Sequence, residues 1–343
     1  MIDITIRGAG IFGLSVAWAC VQRGARVQVV DPNGAGAGSS GGIVGALAPH
    51  VPENWNAKKA FQLDSLLMAE AFWHAVSEQG GTNAGYVRGG RLQPVADEAA
   101  LALAIRRTQT AADLWQDNAL WQVIAAPETT WQPHSPSGQL IHDTLSAHLH
   151  PRKACAALVA ALGAKGVIVQ ADAPDRGRVL WATGVAGLET LTRSHTRSMG
   201  AGVKGQAALL RYDASGAPQL FAGGVHIIPH LDGTVAVGST SEREYSTPDT
   251  TDPQLDAVIE AARAAVPVLQ DAPVIARWAG VRPRARTRAP MLGHWPDRAD
   301  HYIANGGFKI GFGMAPKIAQ VMADLMLDDH DAIPDGFRVE DNL

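Results

Sequence analysis

The most constraining stretch of this chain is Gly8-Ala9-Gly10-Ile11-Phe12-Gly13, set between a strand-like apolar run, Ile2 to Ile6, and a helix-compatible stretch through Leu14, Val16, Ala17 and Ala19. A strand that breaks into this loop and continues as a helix has the form of a dinucleotide grip. Gly8 permits the tight turn, Gly10 lets backbone approach a pyrophosphate, and Gly13 lets helix and strand pack closely. The phosphates would meet the unpaired N–H groups and the positive end of the helix. Val27, Val29 and Val30 supply a second buried strand that delivers Asp31, whose carboxylate can accept hydrogen bonds from a ribose diol and would repel the 2′-phosphate of NADP. Arg7 stands where an aliphatic residue is usual and reads as a tolerated variation with no contact of its own.

With 36 glycines in the chain, the spacing alone is weak; the ordered strand, loop, helix, strand and acid give it weight. A length of 343 residues is enough for about two domains. Hydrophobic residues at 46% and charged ones at 18% mark a globular protein, and a net charge of −4 gives no reason to expect nucleic acid or an anionic membrane surface. Cys20 and Cys155 lie in apolar helix-like contexts without metal-type spacing, as expected of small buried hydrophobes in a reducing compartment. No apolar run reaches the roughly 18 residues of a spanning helix, and Asp3 and Arg7 spoil a signal peptide, so a cytoplasmic protein is expected.

Beyond Asp31, a small-residue loop runs from Gly34 to Gly45 through Ser39-Ser40-Gly41-Gly42-Ile43-Val44. Periodicity predicts helices over Ala57 to Val76, Ala99 to Trp115, Lys153 to Leu162, Leu255 to Val266 and Gly313 to Leu327. Strands are expected at Val167 to Val169, at Val179 to Trp181 ahead of Ala182-Thr183-Gly184, and at Val274 to Ala279. Ala207 to Leu210, Val225 to Pro229 and Thr234 to Gly238 read as an antiparallel sheet, with Asp232-Gly233 as a hairpin turn.

These residues resemble the D-amino-acid oxidase family of FAD-dependent oxidoreductases, in its glycine oxidase and sarcosine oxidase branch. The likeness runs through the glycine loop with Asp31, Ser39-Ser40 leading to Gly42-Ile43, Trp181 to Gly184, Lys204-Gly205-Gln206 and His226 to Pro229. It continues through Val237 to Thr240, Gly280-Val281-Arg282-Pro283, Pro290 to Gly293, Asn305 to Gly311 and Ala315-Pro316. The resemblance implies an α/β protein with a Rossmann-like FAD-binding domain, assembled from residues 1–80, 140–205 and 278–343. A smaller antiparallel-sheet (α+β) substrate domain would come from residues 81–139 and 206–277. Between Val169 and Val179 the chain is shorter than relatives, which alters the wall near the adenine side.

The resemblance further implies non-covalent FAD, since neither cysteine matches the C-terminal cysteine that tethers flavin in sarcosine oxidases. Its cofactor-binding residues would be Gly8, Gly10, Ile11, Phe12, Gly13, Asp31, Pro32, Ser39, Ser40, Gly42, Ile43, Val44, Thr183, Gly184 and the turn Gly306, Gly307, Phe308, Lys309, Ile310 and Gly311. The implied reaction moves a hydride from the amine-bearing carbon of a small amino acid or secondary amine to flavin N5. The imine product then hydrolyses, and O2 is reduced to H2O2. Arg282 has the planar fork that suits a carboxylate and matches the arginine that binds it in relatives. His226, in place of a tyrosine of glycine oxidases, can donate a hydrogen bond and titrates near neutrality when unperturbed. Lys309, in place of an arginine, is expected to stabilise negative charge on the flavin N1/O2 region, and His50 to reach the site's mouth.

His226 and His230 lie too far apart along a strand to share a metal, and His142, His148 and His150 lack a completing ligand, so no metal is expected. Trp18, Trp73 and Trp181 are expected in the core. Four alternatives stay open at this level: an FAD-dependent dehydrogenase with another acceptor, an NAD-linked dehydrogenase, a flavin domain acting on modified tRNA, and a dinucleotide-binding sensor. A homo-oligomer is compatible with the composition.

Overall fold

The computed structural model describes residues 2–343. From the N-terminus come β1 (Ile4–Arg7), α1 (Ile11–Gln22), β2 (Val27–Val30), β3 (Ala46–Leu47), α2 (Ala57–Gly80), β4 (Arg91–Pro94) and α3 (Glu98–Trp115). The middle of the chain adds β5 (Trp121–Ala125), β6 (Gln139–Asp143), β7 (Ala147–His148), α4 (Pro151–Ala164), β8 (Val169–Gln170), β9 (Arg178–Trp181) and α5 (Gly184–Ser194). Then follow β10 (Gly200–Arg211), β11 (Gln219–Ala222), β12 (Val225–Pro229), β13 (Thr234–Gly238), α6 (Gln254–Ala265), β14 (Val274–Ala285), β15 (Met291–His294), β16 (His301–Asn305) and α7 (Gly311–Asp328).

Two large sheets result. The six-stranded one has the order β15-β16-β9-β1-β2-β8. Its strands are parallel except β15, which pairs antiparallel with β16. Both faces of β1 are covered: Ile4 and Ile6 on one face are 1% and 0% exposed, Thr5 on the other is 0% exposed, and α1, α4 and α7 contribute to the apolar core that holds the two isoleucines. Parallel strands need crossovers, and the α/β alternation of the sequence provides them.

The eight-stranded sheet has the order β14-β10-β13-β12-β11-β4-β6-β5 and is antiparallel apart from β11 with β4. Alternating residues of β10, β12 and β13 bury against α6 to form a second core around Ile227, Val237, Leu255 and Ile259. Asp232-Gly233 makes the β12–β13 connection, with Gly233 at φ +77°. The domain boundaries expected at 140, 205/206 and 277/278 fall inside β6, β10 and β14. β10 and β14 run much longer than the four- and six-residue strands read from periodicity, because they pair with each other in one long ladder from Gly200–Ala285 to Leu210–Val274. Glycine and arginine hid that ladder: the interval Gly200 to Gln206 has little strand propensity, and its conformation is set by the partner.

Candidate active site

β1, β9 and β16 lie side by side and parallel, so each ends at the same edge of the six-stranded sheet. Each is followed by a turn and a helix, and the first residues of α1, α5 and α7 (Ile11, Gly184 and Gly311) line one cavity of about 1010 Å³. Three positive helix ends therefore converge on a site at the carboxyl edge of a parallel sheet, where such folds bind anionic and nucleotide ligands.

The turn glycines answer to local packing. Gly8 has φ +104°, and a Cβ there would lie 2.4 Å from the Ala182 carbonyl oxygen on the neighbouring strand. A Cβ on Gly13 would lie 1.9 Å from the Gly8 carbonyl oxygen, so Gly13 serves helix–strand packing and does not line the cavity. Gly10 does line it, with a would-be Cβ 3.1 Å from Ser40 Oγ. Ser40 Oγ accepts the Ile11 N–H at 3.0 Å, which locks the Ser39–Gly41 turn against the start of α1. Asp31 accepts the Ala9 N–H at 2.8 Å through Oδ2 and the Asn33 N–H at 2.9 Å through Oδ1, fixing its carboxylate at the cavity wall. At the far turn, Gly306 has φ +76°, and a Cβ on Gly307 would meet the Phe12 ring at 2.6 Å. Asn305, 3% exposed, donates to Gly184 O at 2.8 Å and accepts Gly306 N–H at 2.7 Å, tying the second and third turns together.

Pro32, Ser39, Gly42, Ile43, Val44, Thr183, Phe308, Lys309 and Ile310 also line this cavity, as do Arg282 and His226 from the second sheet. One continuous space thus runs from Asp31 to Arg282. His50 lies elsewhere: its Nδ1 and backbone N–H both engage Gln62 Oε1, and it is not on the cavity wall. Burial holds its imidazole below the ordinary value, with the Gln62 hydrogen bond opposing.

Arg282 is 9% exposed. Nη1 donates to Ser239 Oγ at 2.8 Å, and Nη2 donates to the carbonyls of Thr240 at 2.6 Å and Lys204 at 3.3 Å. Its Nε has no partner among the described residues, which leaves a buried donor of a fixed cation aimed at no protein acceptor. Burial pulls the guanidinium down to about 10, with Glu242 acting the other way, so it remains charged at neutral pH. The Phe308 ring packs against both cations of this region, its centroid 5.6 Å from Arg282 Cζ and 5.8 Å from Lys309 Nζ. Burial, and then the nearby Arg282, hold the Lys309 ammonium below the usual lysine range.

His226 does not titrate near neutrality. Burial, with Arg91 and Lys309 adding to it, pushes its imidazole down to about 3, so the ring is neutral and offers one donor and one acceptor. Its Nδ1 has no partner among the described residues.

Several wall residues were not legible as site residues. Arg7 is one: it lines the cavity, donates to Asp175 Oδ1 at 2.7 Å and to Ala173 O at 2.8 Å, and so anchors the 173–175 loop beside the glycine turn. Trp181 is half-buried on the wall and not in the core, its Nε1 donating to His301 Nδ1 at 2.9 Å; Trp18 and Trp73 are buried. Trp278 forms wall opposite Gly42, and a Cβ on Gly280 would meet its ring at 2.5 Å. Ser239 was visible only as part of the run Val237 to Thr240; its hydrogen bond to Arg282 spans 43 positions. His230 packs against His150 with ring centroids 4.4 Å apart and planes tilted by 37°, and no three His, Cys, Asp or Glu side chains converge as a metal set among the described residues.

Fold and site together define a dinucleotide-binding α/β protein whose cavity is walled on one side by an antiparallel sheet. The chain belongs to the FAD dependent oxidoreductase family (DAO), which it matches over residues 3–325, and FAD is the cofactor. It is 26% identical over 360 residues to the bifunctional protein ThiO/ThiG of a Nostoc species, covering 95% of this chain and 53% of that protein, so it spans about half the length of that relative. It is 23% identical over 363 residues to the glycine oxidase of Geobacillus kaustophilus, covering 94% and 92% of the two chains. The crystal structure of that enzyme has a TM-score of 0.84 over 98% of both chains. Iminodiacetate oxidase from a Chelativorans species has a TM-score of 0.87 at 21% identity, again over 98% of both. These likenesses establish the fold.

The residues present fit FAD. The turns at Gly8 and Gly307 are places where a Cβ would strike backbone or ring, and the cavity they open into is continuous from Asp31 to the cationic wall. Cys20 and Cys155 are both buried, and burial pushes both thiols up to about 12.

Proposed function

We propose that the protein is an FAD-dependent oxidase of a small amino acid or secondary amine, with the cofactor held non-covalently. The observation that carries this reading is the single cavity that joins a dinucleotide cradle, at Asp31 and the α1 N-terminus, to a buried arginine with a free donor, Arg282. Bound there, FAD would supply the oxidant for hydride removal from the amine-bearing carbon, with O2 as the final acceptor giving H2O2.

The chain's own residues then bind and orient. Asp31 takes the ribose diol, and the first N–H groups of α1 take the pyrophosphate. Arg282 receives the substrate carboxylate through its remaining N–H groups, a charge-assisted contact worth about 1.5–3 kcal/mol. Ser239 and the two carbonyls hold the guanidinium in place so that little orientation is lost on binding. Neutral His226 can accept a hydrogen bond from the amine or donate one to the carboxylate. Lys309 and the positive end of α7 favour negative charge that develops beside the last turn during oxidation. No acid–base triad is required if the amine enters unprotonated; the imine product leaves to be hydrolysed by water.

The names of the glycine and iminodiacetate oxidases support a small amine substrate, and the absence of a cationic surface field weighs against modified tRNA. The purified protein should be yellow, with flavin bands that pass into the supernatant on acid precipitation. Anaerobic addition of glycine, sarcosine or iminodiacetate should bleach it, and admitting air should yield H2O2. In Arg282→Ala the bleaching rate at low substrate should fall by at least about tenfold. A colourless protein that cannot be reconstituted with FAD would sink the proposal; bleaching without peroxide would make it a dehydrogenase.

A further inference from the structure

Beside Arg282, outside the cavity, lies a buried polar network with no part in the reading above. Lys204 is 2% exposed, Gln206 0% and Glu242 8%, and none of them lines the cavity. The Glu242 carboxylate accepts from Gln206 Nε2 at 3.0 Å and from the Thr240 hydroxyl, and lies 3.5 Å from Lys204 Nζ. Lys204 Nζ also lies 3.4 Å from an Asp252 carboxylate oxygen. Gln206 Oε1 accepts the Asp252 N–H at 2.8 Å, and its own N–H donates to Thr240 Oγ1 at 2.8 Å. Reciprocal backbone bonds of 2.9 Å between Lys204 and Glu242 close the unit.

Stability is a weak reason for such a cluster, because buried ion pairs are commonly replaced by apolar side chains at no loss. Its position gives a better one. The two carbonyls that hold Arg282 Nη2 belong to Lys204 and Thr240, both members of the network. Glu242 is also the carboxylate whose field favours the charged guanidinium against the cost of burial.

We propose that Lys204, Gln206, Thr240 and Glu242 form a positioning unit for Arg282, with Glu242 as its counter-charge: the unit fixes the two carbonyls that aim the guanidinium at a substrate carboxylate. This rests on the carboxylate-binding reading of Arg282. The unit acts through Arg282 alone, so its loss should weaken carboxylate ligands while leaving FAD in place.

The test is titration of the FAD-loaded protein with acetate, followed by the perturbation of the flavin spectrum, with FAD retention and melting midpoint recorded for each variant. Arg282→Met should weaken acetate binding at least about tenfold; normal binding there overturns the carboxylate reading itself. Given that loss, Glu242→Gln should weaken acetate about tenfold with FAD retention unchanged, and Glu242→Asp, which keeps the charge, should come within about threefold of wild type. Wild-type acetate affinity in Glu242→Gln overturns the positioning unit. If that protein loses FAD, Lys204→Met combined with Glu242→Gln, which removes the lysine that the single change leaves without its Glu242 partner, carries the test: weak acetate binding with FAD retained supports the unit. Wild-type acetate binding, or FAD and acetate affinity falling together in both proteins, makes the cluster merely structural and overturns it.

Discussion

Gly205 offers a way to displace Arg282 without touching its charge. It sits on β10 opposite Gly280, two residues beyond the Val203 that faces Arg282, and the arginine side chain crosses the strand over it. A Cβ at 205 would lie 1.9 Å from Arg282 Nη2 and 2.3 Å from Cζ, so Gly205→Ala and the observed guanidinium position exclude each other. The obstacle is the far end of a flexible side chain, which can swing away, so the fold should survive at an overpacking cost of about 1–3 kcal/mol. The bonds from the guanidinium to Ser239, Thr240 and Lys204 would be lost with the move. A misplaced arginine forfeits a charge-assisted carboxylate contact of about 1.5–3 kcal/mol, roughly ten- to a hundredfold in affinity. Acetate titration and the substrate dependence of anaerobic bleaching would measure it, with FAD content as the control, since Gly205 is not on the cavity wall. Arg282→Met should also restore the stability lost in Gly205→Ala, because the clash is then gone. A Gly205→Ala protein with full FAD and wild-type acetate affinity would refute the argument.

Gly13→Ala sets a Cβ 1.9 Å from the Gly8 carbonyl oxygen, backbone against backbone, and should cost about 3 kcal/mol or more and much of the FAD affinity, read by melting and flavin content. Gly163, inside α4 with nothing within 4 Å of its would-be Cβ, should become more stable by about 0.5–1 kcal/mol as alanine. His148 and His230 are 0% and 2% exposed, and burial pushes their imidazoles from 6.5 down to about 4 and about 3. Between those values and 6.5 the unfolded chain binds protons that the folded one refuses, so stability is full above that range and falls on acidification by about 1.4 kcal/mol per pH unit for each histidine. Melting midpoints from pH 7.5 to pH 5 should therefore fall less steeply in His230→Gln; parallel curves would count against the burial argument.

Much of the site is legible from the chain because it is built from local strand–turn–helix units. The Gly8, Gly184 and Gly306 turns each follow a strand and open a helix within a few residues, so the backbone conformation is written where it is used. Helix α2 was expected to stop at Val76 and runs on to Gly80, since apolar periodicity fades before the helix meets its left-handed cap at Gly81. The misread residues share a different trait. Arg7 looked idle because its acceptor, Asp175, is 168 positions away, and Trp181 looked like core because its strand is apolar on both sides. His226 looked titratable because nothing in a five-residue strand announces that it will be partly withdrawn from water beside Arg91 and Lys309.

By itself, then, the sequence determined the dinucleotide cradle, the α/β alternation and the presence of an arginine suited to a carboxylate, because glycine conformation, hydrophobic period and guanidinium chemistry are properties of short segments. Tertiary structure alone decided that the Asp31 end and the Arg282 end share one cavity, and that Gly205, Ser239 and the Glu242 network stand around the arginine. Those relations depend on which residues of β14 pair with which of β10 and on how deeply a side chain is withdrawn from water. Only the register of distant strands sets either of them.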